Sequence, residues 1–289
     1  MKVLFLGILL IFINTISGST FDTITKFLSI NNYIWYHSFA IGGSTALLTL
    51  ITYLLLKGEF KKNIFLEKKE YYFFPLLRGL HFIIITIIIF YSLKNIPINI
   101  FTMLLATTPF FLIIFAKYIL EEKLNFISWI AIVIGFIGVI FVLQPSNTSA
   151  SIYILLMFFV AITNALSFIL VSKYSYLATS SGYTFYTYLP FTIFAFIFFL
   201  YDPIIPNIRE LILFSAGGFF LIIAAWSFTA AFHIAGKYSS IISAFLFLQI
   251  IWASCYGVIF FEEEITFHTL IGFLIIIISG SIAVYNRNK

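Results

Sequence analysis

The chain has little charge and a single cysteine, and these shortages exclude several classes of protein. Charged residues make up 9% of the 289 residues, against about 25% in a typical soluble domain. One cysteine cannot form a disulfide within the chain or supply a thiolate metal cluster. The four histidines are scattered, and no nucleotide-binding signature or hydrolase motif occurs. The sequence therefore predicts no catalytic site, no metal and no cofactor.

What the chain does contain is apolar residues, in runs long enough to cross a membrane. Hydrophobic residues make up 62% of the sequence, and the mean hydropathy is +1.10. Backbone groups in hydrocarbon must be hydrogen-bonded within their own segment, so each run predicts a helix. We expect an all-α integral membrane protein with ten transmembrane helices. The predicted spans are 3–27, 33–56, 71–93, 97–118, 124–143, 151–173, 183–201, 211–234, 239–260 and 265–285.

Each half of the chain contains the same two sequence patterns, about 141 residues apart. They are Tyr91-Ser-Leu-Lys-Asn-Ile-Pro-Ile and Leu120-Glu-Glu-Lys-Leu in the first half, and Phe232-His-Ile-Ala-Gly-Lys-Tyr-Ser and Phe261-Glu-Glu-Glu-Ile in the second. Each half holds five spans, an odd number, so two copies of one unit would lie upside down relative to each other. We expect two inverted five-helix repeats, residues 1–145 and 146–289, with a substrate site at their interface.

Basic residues predict that both termini are cytoplasmic. Of the 16 Lys and Arg residues, 13 then fall on the cytoplasmic side and three fall outside. The largest group lies in loop 57–70. The run Val3–Ile13 before Ser17-Gly-Ser19 also resembles a secretory signal peptide. Because cleavage would leave nine spans and destroy the repeat, we favour a first membrane span.

Several short motifs occur in a fixed order along both halves. They are Pro109, Leu120-Glu121-Glu122-Lys123-Leu124, Trp129-Ile130, Gly135-Phe-Ile-Gly138, Glu263-Glu264-Ile265 and Leu270-Ile271-Gly272. Their order and duplication resemble the drug/metabolite transporter (DMT) superfamily, in its EamA-type branch. The resemblance covers the whole chain and implies ten helices, of which helices 1–4 and 6–9 line a central cavity.

Three further places are similar to bacterial S-adenosylmethionine uptake carriers: Asp22-Thr-Ile-Thr-Lys26-Phe-Leu, Leu77-Arg78-Gly79-Leu80 and Ile134-Gly-Phe-Ile-Gly138-Val. The resemblance implies a secondary carrier of the bacterial inner membrane that takes up a small polar metabolite by alternating access. The alternative is an exporter of amino acids or related metabolites. The expected partners are a small-molecule substrate and the lipid bilayer, with no nucleic acid.

Polar residues inside the spans are the candidate substrate-binding residues, because an unpaired polar group is costly in hydrocarbon. In span 1, Asn14, Gly18, Asp22 and Thr25 share one helical face. Asp22 is expected to pair with a cationic substrate or to carry a proton. Alternatively, it pairs with Lys26 and only ends the helix.

Spans 3 and 6 add polar candidates. Arg78 and His81 are three residues apart and share a face of span 3. Arg78 is expected to grip a substrate carboxylate or phosphate, unless it extends to lipid phosphate at the membrane boundary. Asn164 of span 6, with Ser167, either forms a polar patch opposite span 1 or joins helices by hydrogen bonds.

Aromatic and amide residues complete the candidates. Tyr36 and Tyr186, one turn inside spans 2 and 7, present faces that suit a sulfonium or ammonium ion. His37 is either a ligand or a hydrogen-bonded packing residue.

Spans 8 and 9 contribute one wall. Gln249 and Trp252 share a face of span 9 and, with Trp226 of span 8, either line the pocket or only pack. Pro109 is expected to break span 4 and to act as a hinge or free carbonyls for a ligand. No proline matches it in the second half, where Gln249-Ile250 stands.

Acidic clusters and glycines have structural expectations. Glu121-Glu122 and Glu262-Glu263-Glu264 would lie on opposite sides of the membrane, so we expect them to cap spans 5 and 10 and not to form a metal site. Small residues in those spans permit close helix packing: Gly135, Gly138, Gly272 and Gly280. The family resemblance implies that these two helices brace the bundle or form a homodimer contact.

Overall fold

The computed structural model describes residues 2–121, 126–143, 151–238, 242 and 245–285. In these ranges the chain forms α-helices and short 3₁₀ turns, with no strand. The α-helices are α1 Lys2–Ile30, α2 Trp35–Leu56, α3 Phe60–Ile64, α4 Phe73–Asn95, α5 Ile98–Leu105, α6 Thr108–Ile119, α7 Phe126–Leu143, α8 Ser151–Lys173, α9 Ser180–Tyr201, α10 Ile208–Ile234, α11 Leu248–Phe261 and α12 Phe267–Tyr285.

Seven helical stretches in the described ranges are long and apolar enough to cross a membrane. They are Lys2–Ile30, Trp35–Leu56, Lys69–Asn95, Ile98–Ile119, Ile152–Lys173, Ser180–Tyr201 and Ile208–Ile234. At the other three predicted spans the apolar helices are shorter: Trp129–Gly138, Phe245–Phe261 and Phe267–Ser279. Outward side chains such as Leu48, Ile84 and Leu155 stay exposed, as a lipid-facing surface requires. The fold is therefore that of an integral membrane protein, whereas the number of ten spans stays a prediction.

One of the predicted spans is an interrupted helix. In span 4, α5 ends at Leu105 and α6 begins at Thr108, with Pro109 in its first turn. Proline fits there because the first residues of a helix have no intrahelical acceptor for their N–H groups. The break predicted at Pro109 is therefore present. In span 9, the 3₁₀ turn Phe245–Phe247 leads directly into α11.

Glycines set the closest helix crossings. A Cβ atom built on Gly218 of α10 would lie 1.9 Å from the carbonyl oxygen of Gly42 in α2, so this crossing requires glycine. In α7, a Cβ on Gly138 would lie 2.8 Å from Ile275 Cγ2 and 3.0 Å from the carbonyl oxygen of Gly272. Thus α7 and α12 pack together within one chain, which is the bracing expected of them. The homodimer through these helices stays a prediction.

A buried ion pair joins three separate segments at one end of the bundle. The Lys26 ammonium lies 2.9 Å from Glu263 Oε1, and the two side chains are only 10% and 9% exposed. Glu263 also accepts the N–H groups of Ile98 and Asn99, at 2.7 and 3.3 Å, and so caps the start of α5. Lys26 further donates to the carbonyl of Ile96 at 3.0 Å. The end of α1, the start of α5 and the segment between α11 and α12 are therefore held together.

This pairing corrects two expectations. Lys26 does not pair with Asp22, so the alternative in which Asp22 merely ends the helix through Lys26 is wrong. Capping of span 10 by Glu263 is also wrong, because Thr266 Oγ1 accepts a backbone N–H in the first turn of α12. A long carboxylate side chain can reach a more distant helix start, and here it does.

The two acidic clusters share one backbone feature. Glu121, two residues after the end of α6, and Glu262, directly after α11, have φ angles of 56° and 53°. This left-handed conformation is common where a helix ends. Glu122, whose expected role was a cap for span 5, lies outside the described residues.

Candidate functional site

A cavity lies among helices from both halves of the chain, in two adjoining chambers. The first, about 160 Å³, lies between α1, α4, α8, α9 and α10. The second, about 150 Å³, lies between α1, α5, α6, α8, α10 and α11. Both chambers are lined by Asn14, Asn164, Phe168 and Phe228, which therefore form the waist between them. Polar residues in the interior of an apolar bundle mark this cavity as the candidate site.

Arg78 gives the first chamber its charge. Its Nε donates to Ser167 Oγ and its Nη1 to Thr187 Oγ1, both at 3.1 Å. The guanidinium also lies over the ring of Phe168, 5.8 Å from its centroid. No ion pair found among the described residues includes Arg78. The side chain points into the protein and not to the lipid boundary, so its charge is available to a ligand.

Two further polar atoms of the first chamber have no protein partner. His81 and Thr229 both line it, and their atoms Nε2 and Oγ1 are buried without a hydrogen bond in the described part of the chain. Leaving a buried polar atom unpaired costs about 1–3 kcal/mol. The expectation that Arg78 and His81 share one face agrees with their place in the same chamber.

The second chamber is lined by an amide that hydrogen-bonds to a carboxylate behind it. Gln249 lines it, and its Nε2 donates to Asp22 Oδ2 at 3.2 Å. The backbone carbonyl of Gln249 accepts a hydrogen bond from Ser19 Oγ at 3.2 Å, which fixes the start of α11 against α1. Asp22 itself is 6% exposed and does not line either chamber. The polar face predicted on span 1 thus points inward, with Asp22 one residue behind the cavity wall.

The waist combines amides and aromatic rings. Asn14 Nδ2 donates to the carbonyl oxygen of Ala224 at 2.9 Å, which positions the amide. The rings of Phe168 and Phe228 lie with their centroids 4.0 Å apart. Asn164, predicted from its place on span 6, lies on the same wall. A ligand passing between the chambers would contact two amides and two ring faces.

Two predicted site residues, Tyr36 and His37, lie in the first turn of α2, away from the cavity. Tyr36 donates to Asp202 Oδ2 at 2.7 Å, and Nε2 of His37 lies 3.0 Å from the carbonyl oxygen of Asp202. Neither Tyr36 nor His37 lines a chamber. In this structure the pair joins α2 to the end of α9.

Three more predicted site residues contact other protein groups. Tyr186 donates to the carbonyl oxygen of Ile64 at 2.5 Å, which ties the loop helix α3 to α9. Trp226 Nε1 donates to Ser181 Oγ at 3.0 Å, and its ring faces an apolar groove on α1, α2 and α10. Trp252 packs edge-on against Phe12, with centroids 6.1 Å apart. None of the three lines either chamber.

Several cavity residues were not predicted. Thr187 holds Arg78, and Phe168 and Phe228 form the waist. In a chain with 38 phenylalanines, no local pattern separates these two from the rest. Only a helix-by-helix alignment of inward faces would have found them.

A multi-pass helical protein with a polar cavity inside it has the architecture of a membrane transporter. Comparison with known proteins supports that class. The model of the EamA-like transporter family matches residues 5–144. The chain is therefore a membrane transporter, and the match over its first half confirms the resemblance to the EamA-like family drawn from its motifs.

Two known proteins align over nearly the whole chain, one by sequence and one by structure. An S-adenosylmethionine uptake transporter of Rickettsia prowazekii (strain Madrid E) is 24% identical over 289 residues, which cover 98% of this chain and 94% of that protein. A protein of known crystal structure superposes with a TM-score of 0.70 over 99% of this chain and 96% of its own, at 12% identity. At that identity the structural likeness shows the fold alone.

Proposed function

We propose that the protein is a secondary carrier that moves a small polar metabolite across the bacterial inner membrane by alternating access. The main support is the internal cavity with Arg78. Within the described residues, its guanidinium contacts hydroxyl groups and an aromatic ring and no carboxylate. A cation placed inside an apolar bundle is costly and marks a substrate path. The absence of a nucleotide-binding signature in the sequence leaves substrate or ion gradients as the energy source.

The inverted repeat, residues 1–145 against 146–289, is part of this proposal. Two observations support it. Glu121 and Glu262, at equivalent places in the duplicated pattern, share the same left-handed conformation. Helix packing is also paired: α1 packs on α10 and α11, and α8 packs on α4 and α6, as expected if spans 1 and 6 are equivalent. Two halves of five spans give ten in all, so both termini lie on the same side as loop 57–70, and the basic residues of that loop indicate that this side is the cytoplasm.

For the cargo, we propose S-adenosylmethionine taken up from outside. The relative from Rickettsia carries that name, and the cavity offers suitable chemistry. Arg78 suits a carboxylate, the carboxylate of Asp22 behind Gln249 suits a sulfonium ion, and Asn14 and Asn164 offer amide groups to a polar edge. An exporter of amino acids is the second candidate, because Arg78 would serve any amino-acid carboxylate equally well.

The proposed substrate-binding residues divide into two groups by position. Arg78, His81, Asn164 and Gln249 line the cavity, with Asp22 directly behind Gln249. The others contact protein groups elsewhere, and their part in substrate binding stays a prediction: Tyr36, His37, Tyr186, Trp226 and Trp252.

The test is uptake of labelled S-adenosylmethionine by cells that express the chain, compared with cells carrying an empty vector. We expect uptake, and recovery of the label in chemically unchanged S-adenosylmethionine, as a carrier and not an enzyme requires. Arg78→Gln should reduce uptake at least tenfold, since a charge-assisted bidentate contact contributes roughly 1.5–3 kcal/mol. Glu264→Gln, which removes an exposed carboxylate outside the cavity, is the matched control.

No uptake by protein that is inserted in the membrane would remove S-adenosylmethionine as cargo. Efflux of labelled amino acids from loaded vesicles then tests the exporter. If neither solute crosses a sealed membrane, the carrier proposal itself is refuted.

A further inference from the structure

A cation lines the first chamber, and a carboxylate lies behind the wall of the second. Arg78 lies in the first chamber, and the carboxylate of Asp22 lies behind Gln249 at the far end of the second. We infer that the substrate is an elongated zwitterion, held with its anionic group at Arg78 and its cationic group beside Gln249 and Asp22. This inference rests on the proposed function and names the substrate class of the same cavity.

The anionic end follows from the surroundings of Arg78. Burying a cation without a counter-charge is unfavourable, and hydroxyl groups relieve only part of that cost. Ser167 and Thr187 each take one guanidinium donor, and a guanidinium has five. Nothing acidic lines the first chamber within the described residues. A ligand carboxylate would supply the missing negative charge and accept the remaining donors.

The cationic end follows from Asp22. Its carboxylate is buried, and neither ion pair found among the described residues includes it. Gln249 is the side chain that bonds to it and also faces the second chamber. A positive group in that chamber would lie within one side chain of the carboxylate. In a medium of low dielectric constant, attraction over such a distance is strong.

The long axis follows from the waist. Asn14 lies at the junction of the chambers and Asp22 lies eight residues further along α1, which is about 12 Å along a helix. Arg78 lines only the chamber on the other side of that junction. The two charges of a ligand must therefore be several bonds apart, with its middle between the rings of Phe168 and Phe228.

The test measures ligand binding to the purified protein in detergent, with two matched sets of probes. S-adenosylmethionine carries both charges, S-adenosylhomocysteine lacks the sulfonium, and decarboxylated S-adenosylmethionine lacks the carboxylate. L-lysine, L-norleucine and cadaverine form the corresponding amino-acid set. In one set or the other, we expect the complete zwitterion to bind more tightly than both truncated probes by about tenfold or more.

Variants separate the two ends. Asp22→Asn should weaken the complete zwitterion about tenfold and leave the probe without the distal cation within about twofold. Arg78→Gln should weaken both carboxylate probes and spare the probe without a carboxylate. Asp22→Glu should restore the preference, and Glu264→Gln, at an exposed carboxylate, should change nothing. A purely structural role of Asp22 would weaken all three probes alike.

The inference is overturned if neither complete zwitterion outbinds its truncated probes, or if Asp22→Asn weakens all probes equally. Transport is then judged separately. Uptake by the unaltered chain without this binding pattern would leave the carrier proposal standing. The binding pattern without any movement of label into sealed vesicles would refute the carrier proposal and keep the inference.

Discussion

Removing the charge of Glu263 should destabilise the whole bundle, because this one side chain holds three segments. Its carboxylate pairs with Lys26 at 2.9 Å and caps α5 through the N–H groups of Ile98 and Asn99. Breaking a buried ion pair by removing one partner costs about 3–5 kcal/mol. In Glu263→Gln the amide oxygen keeps one backbone contact, so we expect the free energy of unfolding to fall by about 3 kcal/mol, at the lower end of that range.

Removing the positive charge of the same ion pair should destabilise the protein less. In Lys26→Met, the carboxylate of Glu263 keeps its two backbone donors and the favourable dipole at the start of α5. We expect a loss of about 1–2 kcal/mol. The double variant should lose less than the two single losses together, by about 1 kcal/mol or more, because it leaves no unpaired charge.

The measurement is the melting temperature in detergent, followed by the fraction that remains monodisperse after heating. At about 2–4 °C per kcal/mol for a chain of 150–250 residues, Glu263→Gln should melt roughly 6–12 °C below the unaltered protein. Glu264→Gln is the control. The side chain of Glu264 is exposed, and a surface substitution changes the free energy of unfolding by no more than about 0.5 kcal/mol. Equal shifts for Glu263→Gln and Glu264→Gln, or strictly additive shifts in the cycle, would refute the reasoning.

Three more outcomes are expected. Gly218→Leu should abolish monodisperse protein, because even a Cβ would lie 1.9 Å from the carbonyl oxygen it faces; normal elution would contradict the helix crossing. Asn207→Ala removes the side-chain cap of α10 and should lower the melting temperature by about 2–4 °C, or roughly 1 kcal/mol; no change would deny the cap. In a Cys255→Ser background, the thiol of Glu264→Cys should react with a membrane-impermeant reagent added outside the cell. The thiol of Glu121→Cys should react only after permeabilisation. Labelling of both from the same side would refute the inverted repeat.

Helical periodicity predicted correctly which polar residues point inward. Arg78 and His81 line one chamber together, as their spacing of three implies. Asn164 and Gln249 also line the cavity, because an amide deep in an apolar span has few favourable places other than a polar interior. Side chains on one helix keep their mutual directions whatever the helix packs against, so this part could be predicted locally.

Partners across the bundle could not be predicted in this way. Tyr36 and His37 have the composition of a ligand site, yet they bind Asp202, which is 166 and 165 residues away. Lys26 was weighed against the nearby Asp22 but pairs with Glu263. In each case the partner is set by which helix ends meet, and that depends on crossing geometry.

Composition alone determined that the chain is a helical membrane protein, because so few charges and such long apolar runs are incompatible with folding in water. Duplicated motifs indicated the family resemblance that the match over the first half confirms, and periodicity determined which faces of the helices are polar. Tertiary structure decided which of those faces meet to form one cavity. The crossing of α2 and α10 at Gly42 and Gly218, and the hydrogen bond between Gln249 and Asp22, place residues from distant segments side by side. The physical reason is that hydrophobicity and helical period act within one segment, whereas close packing acts between segments that the sequence separates by as many as 227 residues.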